Sequence, residues 1–155
     1  MIRPTILHSV ARYLWLRRIR FIPGAVTRLN YFITGCDISP KARIGKRVHF
    51  QHFGSGVVIH CNVEIGDDVW IMPHVVLGQN VRGGKANAPE GMLIRIGDGV
   101  VLGAGAKVIA DGRLEIGDHA VVGANAVVLK SIPADRVAVG IPAVIRDNRM
   151  KPKVL

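Results

Sequence analysis

With 155 residues the chain has room for one domain with a core of its own, and nothing in it suggests two. Nearly half of the side chains are apolar yet only 5% are aromatic, and this mix of Val, Ile, Ala and Gly suits thin β-layers better than an aromatic-centred core. The formal charge of +10 comes without a nucleic-acid module or aromatics for base stacking, which argues against nucleic acid as a partner. No uninterrupted apolar run reaches the length of a membrane span.

In residues 1–36, Ile6, Leu7, Val10, Leu14 and Arg17 recur at helical spacing, and Tyr13, Trp15 and Leu16 add bulk. This predicts one or two short helices, separated near Pro23-Gly24, that lean on the start of the following region and cap its open end. Arg3, Arg12, Arg17, Arg18, Arg20 and Arg28 all precede the first acid, Asp37. A basic arm of this kind is either a solvated face or a contact for an anionic surface such as a membrane. Arginines inside the apolar stretch and the lack of a small-residue cleavage site make a poor signal peptide. Cys36 and Cys61, far apart and without CxxC spacing, form neither a zinc site nor a disulfide framework. A cytoplasmic protein, at most peripheral at the inner face of the membrane, is expected.

From Ile38 onward a repeat of six takes over. Ile, Leu, Val or Phe opens a hexad at 38, 44, 50, 59, 65, 71, 77, 96, 102, 108, 116, 122 and 128. The fifth positions are Ala42, Val48, Gly54, Val63, Val69, Val75, Val81, Val100, Ala106, Gly112, Ala120, Ala126 and Ile132. Apolar spacing of four, two, four, two fits neither a helical stripe nor simple strand alternation. It predicts a short strand and a tight corner every six residues, with three sides closing a triangular coil that rises by ~4.8 Å. Opening residues fill the prism and the smaller fifth residues fit near its corners. Gly follows the opening residue at 45, 66, 78, 97, 103, 117 and 123 and is expected to supply unusual corner angles. Breaks in register are expected as corner loops: around Phe53–Val58, within Ala110–Leu114, and between Arg82 and Ile96. The last, residues 83–95, is expected to project as a candidate functional loop.

The hexads, continued into VGANAVVLKSIPADRVAVGIPAVIR (122–146), resemble those of the left-handed β-helix acyltransferases. Within them the segment CDISPKARIGKRVHFQHFGSGVVI (36–59) is similar to serine acetyltransferases and related polysaccharide O-acetyltransferases. The resemblance covers residues 37–146 and implies the left hand of the helix, since general rules favour right-handed crossovers. It leaves residues 1–36 as a basic helical arm and 147–155 as a C-terminal tail. It also implies transfer of an acetyl group from acetyl-CoA to a hydroxyl, in a homotrimer whose active sites are shared between subunits.

Asp37 lies just before the first side of coil one and His52 on its third. A triangular path returns to its starting corner after three sides, so this spacing brings the two close. An Asp there can accept the Nδ1–H of His52 and stabilise the imidazolium, freeing the other nitrogen to take a proton from an acceptor hydroxyl. The resemblance assigns that pair this role. The remaining histidines read as arm (His8), outward positions (His49, His60, His74) and an exposed corner (His119). The resemblance places CoA against Ala104, Ala124, Lys130 and Arg146, where small residues admit the pantetheine arm and cations suit its phosphates. No cluster with metal-ligand spacing is present, and no Ser or Cys nucleophile pairs with His52.

Three features depart from the serine enzymes. Gln51 stands where they have an Asp associated with serine binding. No His lies between residues 78 and 96, where their long loop has one. The short arm replaces a large helical N-terminal domain. Losing an acid removes the charge partner of an amino-acid ammonium, so Gln51 points to a neutral acceptor such as a sugar or a cell-surface polysaccharide precursor. Serine is the alternative acceptor, and a noncatalytic β-helix scaffold at an anionic surface is the alternative of another class.

Overall fold

The computed structural model describes residues 4–79 and 93–148. Two helices, α1 (Pro4–Leu16) and α2 (Ile22–Thr34), precede the strands. Coil one comprises β1 (Asp37–Ile38), β2 (Arg43–Ile44) and β3 (His49–Phe50), and coil two β4 (Val58–Ile59), β5 (Val63–Ile65) and β6 (Trp70–Ile71). Coil three comprises β7 (Val76–Gln79), β8 (Leu93–Ile96) and β9 (Val101–Leu102), and coil four β10 (Lys107–Ala110), β11 (Arg113–Ile116) and β12 (Val121–Val122). The last turn holds β13 (Val127–Val128), β14 (Arg136–Val139) and β15 (Val144–Asp147).

Each side of the coil stacks on its equivalents as a parallel sheet. The first face is β1-β4-β7-β10-β13, the second β2-β5-β8-β11, and the third β3-β6-β9-β12-β14-β15. Among the described strands only β15 runs antiparallel, folding back along β14 and closing the final edge. The molecule is a left-handed parallel β-helix with a short helical N-terminal arm.

The register superimposes the hexad openers. Ile59 pairs with Leu77 on the first face, Ile65 with Ile96 on the second and Ile71 with Leu102 on the third, and all six are buried. Each buried Ile or Leu is worth about 1.5–3 kcal/mol relative to exposure. The interior is therefore a stack of aliphatic layers, with an opener and a smaller corner residue per hexad in coil two: Ile59 and Val63, Ile65 and Val69, Ile71 and Val75.

Two corner assignments change. Where the register breaks, the buried corner aliphatic is Val57 or Leu114, instead of the expected Gly54 or Gly112, and Ile94 is a buried corner residue of the same kind. Each lies two residues before the next opener, because the corner is built by the strand it leads into and not by the strand behind it. Val81 lies outside the described residues, as does most of the 83–95 insertion. Its last residues, Leu93, Ile94 and Arg95, are strand and not loop. Asp147, placed in the tail by the sequence, belongs to β15 and pairs with Arg136.

The glycines after the openers also act differently from expectation. Gly45, Gly66, Gly97, Gly103, Gly117 and Gly123 are absent from the positive-φ positions. They are needed because neighbouring coils almost touch there: a Cβ on Gly103 would meet the backbone N of Ala124 at 2.6 Å, and one on Gly97 that of Asp118 at 2.8 Å. Left-handed corner angles fall mostly on other residues, including Arg47, Asp68, His74, His119, Asn125 and Asp135. The Asp after the glycine in each Ile-Gly-Asp triplet bonds the coil above. Asp67 accepts from the N–H of Lys46 (2.7 Å), Asp98 from that of Asp67 (2.7 Å) and Asp118 from that of Asp98 (2.9 Å).

In the arm, Pro23 sits in the first turn of α2, where its missing N–H costs nothing. The helices are separated before it and not at Pro23-Gly24. Gly35 closes α2 with φ 75°. Arg12 donates to the carbonyls of Lys41 (3.0 Å), Ala42 (3.3 Å) and Pro40 (3.4 Å), and His8 Nε2 lies 3.2 Å from the carbonyl of Ser39. These bonds tie α1 to the first corner of coil one. Burial pushes the His8 pKa down, partly offset by its bond to Ser39. The helices lean on the start of the prism as expected, but the stripe is split: Ile6 and Val10 are exposed, Leu7 and Leu14 half-buried, and His8 and Ala11 buried.

Candidate active site

The corner between the third and first faces is a continuous backbone column. His74 N donates to Ser55 O (2.8 Å), Gly105 N to Pro73 O (2.9 Å) and Asn125 N to Ala104 O (2.8 Å). His52 stands at the top of this column, in the turn Gln51–Gly54 that follows β3. Three consecutive residues there are left-handed, His52 (φ 47°), Phe53 (φ 59°) and Gly54 (φ 71°). For residues other than Gly such a conformation persists only where the surroundings hold it.

The surroundings that hold it come from both sides. Gly56 N donates to Gly35 O (3.1 Å) at the end of the arm, and Val57 N to Gly54 O (2.8 Å). The buried Cys36 thiol donates toward Gly54 O (3.0 Å) and Phe53 O (3.3 Å). Burial pushes the Cys36 thiol pKa up, against a smaller opposing effect of the Thr34 hydroxyl, so it stays protonated and available as a donor. The His74 ring closes the turn from below, packing so closely on Gly56 that a Cβ there would lie 2.8 Å from its Cε1.

A cavity of about 410 Å³ opens beside the turn, lined by Gln51, His52 and Phe53 with Val48, His49, Phe50 and, from α1, Pro4 and Thr5. Its volume is that of a small-molecule site. Among the described residues, none that line it is an acid. His49 stacks on Trp70 of the next coil, with ring centroids 4.7 Å apart, and this stack belongs to the outer surface of the third face.

The residues singled out from the sequence divide into three groups. Gln51 and His52 share the cavity wall. Asp37 is exposed on β1, and its neighbour Cys36 touches the carbonyls next to His52. The chain path thus returns to its starting corner, but among the described residues no hydrogen bond joins Asp37 to His52 in the single chain. Ala104 and Ala124 are exposed on the same corner column as His52, one coil apart. Lys130 lies beyond β13 on the next corner, beside an apolar groove of about 440 Å³ formed with Leu129, Pro142 and Val144. Arg146 is exposed on β15, opposite Val137. Cys36 was missed as part of the site; its signal was its position immediately before Asp37, opposite two glycines of FGSG. Among the described residues no group of His, Cys, Asp and Glu could hold a metal ion.

No protein-family model matches the chain. It is 42% identical over 142 residues to a serine acetyltransferase of Helicobacter pylori, covering 92% of this chain and 78% of that protein. Identity to a serine acetyltransferase of Mycobacterium tuberculosis is also 42%, over 146 residues, 94% of this chain and 60% of that protein. Soybean serine acetyltransferase apoenzyme superposes with a TM-score of 0.82 at 38% identity, over 92% of this chain and 56% of that one. A serine acetyltransferase in complex with CoA superposes with a TM-score of 0.80 at 30% identity, over 92% of this chain and 55% of that one. This chain therefore spans little more than half the length of those two solved relatives.

Proposed function

The chain belongs to the serine acetyltransferase family, and from that premise we propose that it transfers the acetyl group of acetyl-CoA to the hydroxyl of serine. The observation that carries this reading is His52, held on a rigid corner at the wall of a cavity of small-molecule size, in a chain 42% identical to a protein of that name over most of its length.

In this reading His52 removes the proton of the acceptor hydroxyl as its oxygen attacks the thioester carbonyl. The tetrahedral intermediate collapses with cleavage of the C–S bond, and the imidazolium returns the proton to the departing CoA thiolate. Asp37 orients the imidazole and stabilises its charge, and backbone N–H groups of the column can meet the oxyanion. CoA runs along the column past Ala104 and Ala124, whose small side chains leave the backbone open. Lys130 and Arg146 lie further on, toward the CoA phosphates. A homotrimer closes this groove with a neighbouring prism. A cytoplasmic location goes with the reading, since the thiols of Cys36 and Cys61 are free.

A second reading is favoured by the cavity itself. With Gln51 beside His52 and no acid among the described lining residues, an ammonium group finds no charge partner among them, and a neutral acceptor such as a sugar fits better. The named relatives support serine and give no support to a glycan. Thiol release from acetyl-CoA, followed with serine and with a panel of sugars, separates the two. The proposal expects serine to give the fastest acceptor-dependent release. A sugar that outpaces serine would overturn it in favour of the second reading.

A further inference from the structure

Much of the arm's apolar surface faces outward. The buried positions are Pro4, His8 and Ala11 on α1 and Pro23, Asn30 and Thr34 on α2, with Leu7, Leu14 and Val26 half-buried beside them. The outward sides carry Ile6, Val10 and Tyr13, spaced i, i+4, i+7, and Leu29, Phe32 and Ile33. Phe21, in the turn between the helices, is 91% exposed and Phe32 is 82% exposed. A water-soluble helix pair normally turns its apolar stripe to the core, and an exposed apolar surface of this extent marks a contact.

The charges that the arm itself carries are of one sign. Arg17, Arg18, Arg20 and Arg28 are exposed, and no Asp or Glu precedes Asp37. Arg12 is instead bonded to the corner carbonyls. Arg18 and Arg20 flank Ile19 and, with Trp15, Leu16 and Pro23, line an open groove of about 690 Å³. Arg17 lies over the Tyr13 ring at 5.2 Å, and Lys41 over Trp15 at 5.9 Å.

We infer that the two-helix arm docks on an anionic lipid bilayer, with Phe21, Phe32 and their apolar neighbours in the headgroup–acyl boundary and the arginines on lipid phosphates. Apolar and aromatic side chains interleaved with arginine and free of acids are the chemistry of an interfacial helix. A second copy of the arm fits less well, because it would set arginine against arginine with no carboxylate between them. Each helix has 13 residues, and among the described residues none is long and apolar enough to cross a membrane. The arm therefore lies on the bilayer and does not span it.

The test is flotation of the full chain with vesicles of phosphatidylcholine alone and of phosphatidylcholine with phosphatidylglycerol, at low and at high salt. Binding is expected to the anionic vesicles only and to fall with salt. Each of Arg18→Gln and Arg20→Gln should weaken it about fivefold, and the pair Phe21→Ser with Phe32→Ser should weaken it at least tenfold. Both phenylalanines are exposed, so circular dichroism of these variants should match that of the parent. Failure to bind anionic vesicles at low salt, or equal binding to neutral ones, would overturn the inference. So would light scattering in which the Phe21/Phe32 variant forms a smaller assembly than the parent, since the face would then join protein to protein. None of these outcomes depends on which acceptor the enzyme uses.

Discussion

At the corner between the third and first faces, coils two to four turn with one left-handed residue each, His74, Gly105 or Asn125. Coil one turns there with three in a row and adds Gly56. The lower corners are successive rungs of a ladder, bonded coil to coil among the described residues through backbone groups. The top corner is held by unlike partners: the Gly35 carbonyl, the Cys36 thiol and the His74 ring. A repeat is cheap to stabilise because each coil reuses its neighbour's geometry. The place where it stops repeating is where a side chain can be aimed at a cavity. The scaffold should therefore respond to substitution in stability, and the top corner in turnover.

The largest stability effect is expected inside the repeat. Leu102→Ala removes a fully buried opener of the third face, and should lower unfolding free energy by about 2–5 kcal/mol, measurable by urea denaturation. At the top corner, Gln51→Asp should lower the KM for serine by roughly tenfold or more, since a charge-assisted hydrogen bond is worth about 1.5–3 kcal/mol. Thermal stability should hardly change, because Gln51 is only half-buried. An unchanged KM would remove Gln51 from the acceptor site. Cys36→Ala takes away the thiol that holds the Phe53 and Gly54 carbonyls. It should slow turnover several-fold and cost about 0.5–1.5 kcal/mol of stability, and Cys36→Ser, which keeps a donor, should recover part of both. The smallest effect is expected on the outer surface of the second face. Arg43 and Glu64 pair at 2.7 Å, but the Arg43 side chain is 69% exposed, so Arg43→Ala should cost no more than about 1 kcal/mol and leave the rate alone.

Much of this was legible in the sequence because the hexad is a physical period. Ile59, Leu77, Ile96 and Leu102 announce the three faces by spacing alone. Val57, Ile94 and Leu114 were misread because corners were counted forward from the preceding opener, and an insertion spoils that count but not the count backward from the next one. The glycines were assigned the wrong reason: crowding between adjacent coils is a contact across 20 or so residues, which no local angle preference reveals. The outward half of the arm's apolar stripe was illegible for a related reason. Periodicity finds an apolar stripe but not the direction it faces, and polar anchors such as His8 and Arg12 decided that. At the site, the fifteen-residue interval correctly brings the chain back to its starting corner, whereas the Asp37–His52 hydrogen bond depends on rotamers that spacing does not determine.

The most direct test of a functional top corner on a structural ladder compares two histidines on the same column. His52→Ala and His74→Ala, each verified as folded by circular dichroism, are assayed for serine-dependent thiol release from acetyl-CoA. The account predicts that His52→Ala loses roughly 10²–10⁴ of the rate, while His74→Ala, which packs on Gly56 without lining the cavity, stays within tenfold of the parent. Near-parental turnover by folded His52→Ala, or a larger loss from His74→Ala, would contradict it.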